Sequence, residues 1–285
     1  MKKAVTVFLV FVQAAMMMFA GVPARAEEDN TGTVICITER SEESPAPLPE
    51  DELPEVRGFN PGPAPEEGMV FEGDDRDIIR KTDEYPYVAV ALLDVSFPCG
   101  CGGNGTGFMV SENKLMTAAH VIMCSEHSQW ANRITLYFGY KSQKDYTYKY
   151  SGKWYAFVGT TFPDGYSTDD DWAVMKLYKN VGNTVGWFGF QVMSDSDITS
   201  KRLQLLGYRS GMMKRSWGFV TAGRKNILYY SMDTEGGNSG GPLFRNNNYN
   251  EPVAVAINIA ESNTSNYGYR ITEQIYRYFQ ELDNY

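Results

Sequence analysis

"YPYVAVALLDVSF", residues 85–97, alternates apolar with polar or small residues and is rich in Val, Leu and aromatic side chains. This is the period-2 pattern of a half-buried strand, and it predicts one from about Tyr87 to Phe97. Comparable short runs follow at "GTGFMVSENKLMTAAH" (105–120), "RITLYFGY" (133–140), "YTYKYSGKWYAFVGT" (146–160) and "WAVMKLYK" (172–179). Four more follow at "RLQLLGYRS" (202–210), "SWGFVTAGRKNILYYSMDT" (216–234), "GGPLFRNN" (240–247) and "EPVAVAINIA" (251–260). Gly, Asn, Asp and Ser punctuate them at intervals of roughly 8–12 residues, the signature of an all-β sandwich or barrel. Only the last stretch reads as helix, with Thr272 as N-cap and Ile275, Tyr278, Phe279 and Leu282 at helical spacing.

Upstream of this region the chain has a different character. Lys2 and Lys3, an apolar run from Ala4 to Ala20 and the small-residue end Ala24-Arg25-Ala26 match the three parts of a secretory signal peptide over residues 1–26. Export and an extracellular location are therefore expected. The apolar run is short for a span of about 20 residues and contains Gln13, so no membrane attachment is expected once the signal is removed. Residues 27–69 turn to Pro, Glu and Ser, as in "ERSEESPAPLPEDELPEV" and "NPGPAPEEG", the composition of a disordered linker or propeptide. Residues 70–285 hold 21 Lys+Arg against 23 Asp+Glu, so the formal net charge of -9 resides mostly in the leader. The near-neutral remainder has no basic face for nucleic acid, and it is long enough for one two-barrel unit around a cleft or for two small domains.

Hydrolysis of an amide needs an activated nucleophile, a base that takes its proton and returns it to the leaving amine, and donors aimed at the developing oxyanion. The chain has two histidines. His120 closes "KLMTAAH" (114–120), a strand-like run that would leave the imidazole at a strand end, facing a cleft; His127 lies in the polar run "CSEHSQW" (124–130). Ser239 lies in "EGGNSGGP" (235–242), where glycines permit a tight turn and let the Gly237 and Ser239 amides approach a substrate carbonyl as an oxyanion hole. An α/β-hydrolase needs a histidine after its serine, and none follows Ser239. The order His, Asp, Ser is open. Asp171 ends the acidic run of "DDDWAVMKL" (169–177) and abuts an apolar strand, so it is the acid best placed to be buried against an imidazole; Asp169 and Asp170 read as a solvated turn.

Cys36, Cys99, Cys101 and Cys124 are an even number in a chain bound for an oxidising compartment, where disulfides are expected in one of three connectivities. Cys99-x-Cys101 with Cys124-x-x-His127 would also offer four zinc ligands in a closed structural geometry. Export favours disulfides over that alternative, so neither a metal nor any other cofactor is expected.

Taken as an ordered set, "TAAH" (117–120), "DDWAVMKL" (170–177) and "GGNSGGP" (236–242) resemble the three catalytic blocks of chymotrypsin-like serine peptidases, and most closely those of the bacterial glutamyl endopeptidases. The likeness extends to "GDDRDIIRKTDEYPYVAVALL" (73–93), "GNTVGWFGF" (182–190), "SMDTEGGNSGGP" (231–242) and "YGYRIT" (267–272), so it spans about residues 69–285. It implies two six-stranded antiparallel β-barrels followed by the C-terminal helix. His120 and Asp171 would come from the first barrel and Ser239 from the second, in a monomeric, secreted endopeptidase acting on polypeptides through an acyl-enzyme. It further implies a zymogen cut near Met69 or Val70, whose new α-amine helps bind an acidic substrate side chain.

Three departures qualify the likeness. The glutamyl enzymes carry a histidine in the pocket for the residue before the scissile bond (P1), where this chain offers Ala256 or Asn258; with Thr234 nearby, preference for glutamate is expected to be weak. Asp233 sits where trypsin-like pockets carry their acid, which leaves a basic P1 open. Family members often bridge a cysteine before the "GTGF"-like strand to one after the catalytic histidine, which here implies Cys101–Cys124 or Cys99–Cys124. A non-catalytic binding module on the same fold is the alternative function. Such modules usually lack a member of the Ser-His-Asp set, and this chain has all three.

Overall fold

The computed structural model describes residues 55–58, 76–159, 167–261 and 265–285. The expected signal peptide, Cys36 and the expected cut near Met69 or Val70 lie outside them. The described chain is mostly strand, in two antiparallel sheets that curl into barrels.

The first sheet runs in the order Tyr148–Tyr150, Arg133–Phe138, Val90–Ser96, Gly102–Met109, Lys114–Thr117, Ala173–Leu177, Trp154–Val158. Its two edges are consecutive in sequence, separated only by Ser151, Gly152 and Lys153. One bent segment therefore supplies both edges, so that six chain segments make seven ladder strands and the sheet curls back on itself.

The second sheet runs Asp77–Ile78, Met212–Gly218, Leu203–Arg209, Pro242–Asn246, Pro252–Glu261, Asn266–Arg270, Ile227–Tyr230, Val220–Ala222, with Gly189–Phe190 laid parallel to Pro252–Glu261. It uses the same device, because Met212–Gly218 and Val220–Ala222 are separated only by Phe219. Apart from the two-residue ladders Asp77–Ile78 and Gly189–Phe190, six segments again form the barrel.

The expected strand from Tyr87 to Phe97 begins three residues later than its pattern suggests. Tyr87–Ala89 form a 3-10 turn and the strand is Val90–Ser96. The Val88 and Ala89 amides are taken by Glu84 O and Pro86 O at 2.9 and 3.1 Å, before the partners at Phe108 and Phe138 come within reach.

The barrels meet where Leu203–Arg209 packs against Val90–Ser96 and Gly102–Met109. Phe188, from the segment joining them, sets its ring edge-on to Phe108 of the first barrel (5.8 Å) and to Phe244 of the second (5.2 Å). Such pairs add about 0.5–1.5 kcal/mol beyond their buried area.

The C-terminal helix is Glu273–Glu281, and the Thr272 hydroxyl accepts from the Ile275 amide at 3.3 Å as its N-cap. It returns to the first barrel, where Tyr278 stacks on Phe157 (4.9 Å) and Trp172 (5.8 Å). Lys114, only 2% exposed, meets the Asp283 carboxylate at 2.5 Å and lies 4.2 Å from the centre of the Phe279 ring. A buried ammonium persists only with such partners.

Of residues 27–69, read as a linker or propeptide, residues 55–58 are described, and they meet the second barrel. Val56 forms a two-way backbone bridge with Phe190 (2.9 and 2.8 Å), the Trp187 indole donates to Arg57 O (3.2 Å), and the Asn247 amide donates to Glu55 (2.8 Å). Composition signals low burial across the leader as a whole, and within it Glu55, Val56 and Arg57 find hydrogen-bond partners beside the second barrel.

Candidate active site

His120 lies in a single helical turn, Ala119–Ile122, immediately after the strand Lys114–Thr117. Asp171 follows a 3-10 turn, Thr168–Asp170, in which the Asp169 amide donates to the Ser167 hydroxyl at 3.2 Å. Asp171 is fully buried and grips His120 twice. Oδ1 accepts from the His120 main-chain N–H at 2.9 Å, and Oδ2 lies 2.6 Å from Nδ1. Burial by itself pushes the His120 imidazole down, but the Asp171 charge and the hydrogen bond to it together outweigh burial, and the net shift is above the ordinary histidine value of 6.5.

Asp169, two residues earlier, behaves differently: it is half-buried and pairs with Lys225 at 2.5 Å and with Arg224 at 3.9 Å.

Ser239 and Gly237 line a cleft of about 330 Å³ that also holds His120, Asn104, Cys101, Cys124 and Glu126. Gly237 has φ +103, and a Cβ there would sit 2.7 Å from Tyr208 O, so this position requires glycine on both counts. Asn238, directly before the serine, is 3% exposed; its Oδ1 accepts from the Glu235 amide (2.8 Å) and its Nδ2 donates to Tyr208 O (3.3 Å).

The residue that ties the serine loop to the other barrel is Thr106, which the sequence reading passed over. Its hydroxyl donates to Gly237 O at 2.7 Å and accepts from the Tyr208 amide at 2.9 Å, while its own amide donates to Ser239 O at 2.8 Å. Thr106 is fully buried. The only sequence signal was a threonine between two glycines in "GTGF".

None of the four residues expected to bind substrate, Asp233, Thr234, Ala256 and Asn258, lines this cleft. Asp233 is exposed, and its carbonyl accepts from the Ser216 hydroxyl (2.8 Å). Ala256 is fully buried in the core of the second barrel with Leu228 and Leu243. Asn258 is 2% exposed; its carbonyl accepts from the Gly240 amide (2.7 Å) and its side chain from the Tyr230 hydroxyl (2.5 Å).

The disulfide expected from Cys124 to Cys101 or Cys99 is not formed: all three cysteines are free, and their sulfurs gather around His127 instead of bonding in a pair.

Two curled antiparallel barrels that meet at a cleft, with a histidine and a buried aspartate from one and a serine in a glycine-rich loop from the other, define a trypsin-like serine peptidase. A family profile described as "Trypsin-like peptidase domain" matches residues 105–255, and the chain belongs to that family. It is 30% identical over 221 residues to the "Extracellular metalloprotease" of Bacillus subtilis, covering 74% of this chain and 68% of the relative. It is 27% identical over 227 residues to the "Glutamyl endopeptidase" of Bacillus licheniformis, covering 76% and 68%. A solved structure of a Glu endopeptidase superposes with a TM-score of 0.62 at 22% identity, over 76% of this chain and all of the other. The protein is thus a serine endopeptidase close to the glutamyl endopeptidases, with polypeptide substrates.

Proposed function

We propose that the chain is an exported peptidase in which Ser239 is the nucleophile, His120 the general base and Asp171 the residue that orients and charges-balances the imidazole. Ser239 Oγ attacks the scissile carbonyl carbon while its proton passes to His120 Nε2, since Nδ1 is held by Asp171. The resulting oxyanion accepts from the Gly237 and Ser239 amides. His120 returns the proton to the amine, which leaves an acyl-enzyme; water then adds by the same route in reverse and frees the acid and Ser239. The observation that carries this reading is the double grip of a fully buried Asp171 on His120 at the wall of a cleft that Ser239 shares.

Replacing Ser239 with Ala tests it directly. Turnover should fall by roughly four to six orders of magnitude, and labelling by a serine-directed phosphonate should vanish, with the fold unchanged. Retained labelling would move the nucleophile elsewhere. One relative bears the name metalloprotease, so the assay should also include a chelator. Turnover that survives in Ser239→Ala and is abolished by chelator would oppose the serine mechanism.

The latent-precursor reading also receives support. Arg76, at the start of the described domain, pairs with Glu235 of the serine loop at 2.9 Å, so an amine freed a few residues upstream is within reach of that loop. A leader with the pattern of a signal peptide, and a relative named extracellular, support export. Of the residues expected to set P1 preference, exposed Asp233 and its neighbour Thr234 are the polar groups from which it would be built, since Asn258 is buried with its side chain bonded to Tyr230.

A further inference from the structure

Two turns bring four soft donor atoms to one point beside the cleft. The first joins Val90–Ser96 to Gly102–Met109; in it the Gly100 amide donates to Phe97 O and the Phe97 amide to Cys101 O, both at 3.0 Å. Gly100 has φ +89, which L side chains rarely adopt, and with this residue between them Cys99 and Cys101 turn their sulfurs to the same place. The second turn joins Met123–Cys124 to Gln129–Trp130 and contains Ser128 at φ +50, which folds His127 back over Cys124. The three sulfurs and the histidine nitrogen all lie within 4.8 Å of one another.

The distances discriminate between the available chemistries. A disulfide needs two sulfurs about 2.05 Å apart, and it would strand the third sulfur and the imidazole. Thiol hydrogen bonds fare no better, because Cys101 and Cys124 both face His127 Nδ1, which has a single lone pair to offer. A tetrahedral zinc with bonds of about 2.3 Å to sulfur and 2.0–2.1 Å to nitrogen sets sulfur-to-nitrogen edges of about 3.6 Å. The observed edges are 3.7 Å from Cys101 and 3.5 Å from Cys124.

We propose that Cys99, Cys101, Cys124 and His127 form a structural zinc site of the Cys3His type. Three thiolates select zinc over hard cations such as calcium, and four protein ligands fill the shell, so the ion takes no part in hydrolysis. Its effect is mechanical. It fastens the tip of the hairpin before Gly102–Met109 to the segment that follows the His120 turn, and Cys101 and Cys124 are themselves part of the cleft wall. The proposal is independent of the hydrolytic mechanism, and its test uses no activity readout.

The experiment uses the full chain carrying Ser239→Ala, to prevent self-digestion, purified without chelator from zinc-supplemented culture. Elemental analysis should find about one zinc per chain, and Cys99, Cys101 and Cys124 should react with thiol reagent only after chelation or denaturation. Exchange for cobalt should give the thiolate-to-metal charge-transfer absorption of a tetrahedral site. His127→Ala should weaken zinc against a competing chelator by more than the roughly 10–100-fold typical of losing a mere outer-shell partner, and His127→Cys should restore it. Peptide mapping that finds a disulfide among the three cysteines of the purified chain would overturn the proposal. So would equal zinc retention in the parent and His127→Ala.

Discussion

Asp171 bonds to His120 at two places, the main-chain amide and the ring, so one buried carboxylate fixes both the position of the backbone and the orientation of the imidazole. Asp171→Asn separates these duties. The amide oxygen can still accept from the His120 N–H, so the fold should hold, but the negative charge is lost and the wrong ring tautomer is favoured. Turnover should drop about 10⁴-fold with little change in circular dichroism or melting temperature. A drop of less than tenfold would remove Asp171 from the mechanism.

The same pair sets two opposed pH dependences. Activity needs neutral His120, whose pKa lies above 6.5, so kcat/KM should rise with pH through a single inflection above that value. Stability runs the other way. A histidine whose folded pKa exceeds its unfolded one stabilises fully below the unfolded value, and that contribution is lost as pH rises through the folded pKa. Thermal melts of the parent and His120→Gln should therefore differ most below pH ~6 and converge in the alkaline range. A rate profile that is flat across this range would show that another group is the base.

Thr106→Val keeps the shape of the side chain and removes its hydroxyl. The Gly237 carbonyl and the Tyr208 amide would then be buried without their partner, at a cost of about 1–3 kcal/mol for each group left unsatisfied. Because Gly237 belongs to the serine loop, kcat should fall while KM changes little. Thr106→Ser, which retains the hydroxyl, should recover most of the loss. If Val and Ser behave alike, the role is packing alone.

N-terminal sequencing of the active form should find a start near Met69 or Val70, and a precursor made uncleavable there should be latent. Arg76→Ala would disconnect the domain start from Glu235 and should raise KM for acidic P1 peptides more than for neutral ones. Full activity of a chain beginning at Glu27 would end the latency argument. P1 profiling of Asp233→Ser against the parent distinguishes an acidic from a basic preference.

Much of this was legible in the residues. His120, Asp171 and Ser239 stand in local contexts that announce themselves, and the helix at 273–281 carries its own cap and stripe. The way each sheet curls back on itself was not legible, because the two bends that let one segment serve in two places are Ser151-Gly152-Lys153 and a lone Phe219, ordinary residues inside strand-like runs. Thr106 was missed because its decisive bond spans 131 residues, and nothing local marks a threonine that will meet the serine loop. The cysteines were read by compartment, whereas three-dimensional convergence with His127 decides what they can do.

The clasp between Lys114 and the segment after the last helix carries an implication for timing. Lys114 opens the strand that leads to His120, yet its carboxylate, Asp283, is made about 170 residues later. A chain in which the first barrel alone has been made leaves the Lys114 ammonium without Asp283 and the Trp172–Phe157 surface without Tyr278. The half that holds His120 is thus left unfinished until the half that holds Ser239 has also been made, so that the two sides of the cleft are completed together instead of one by one.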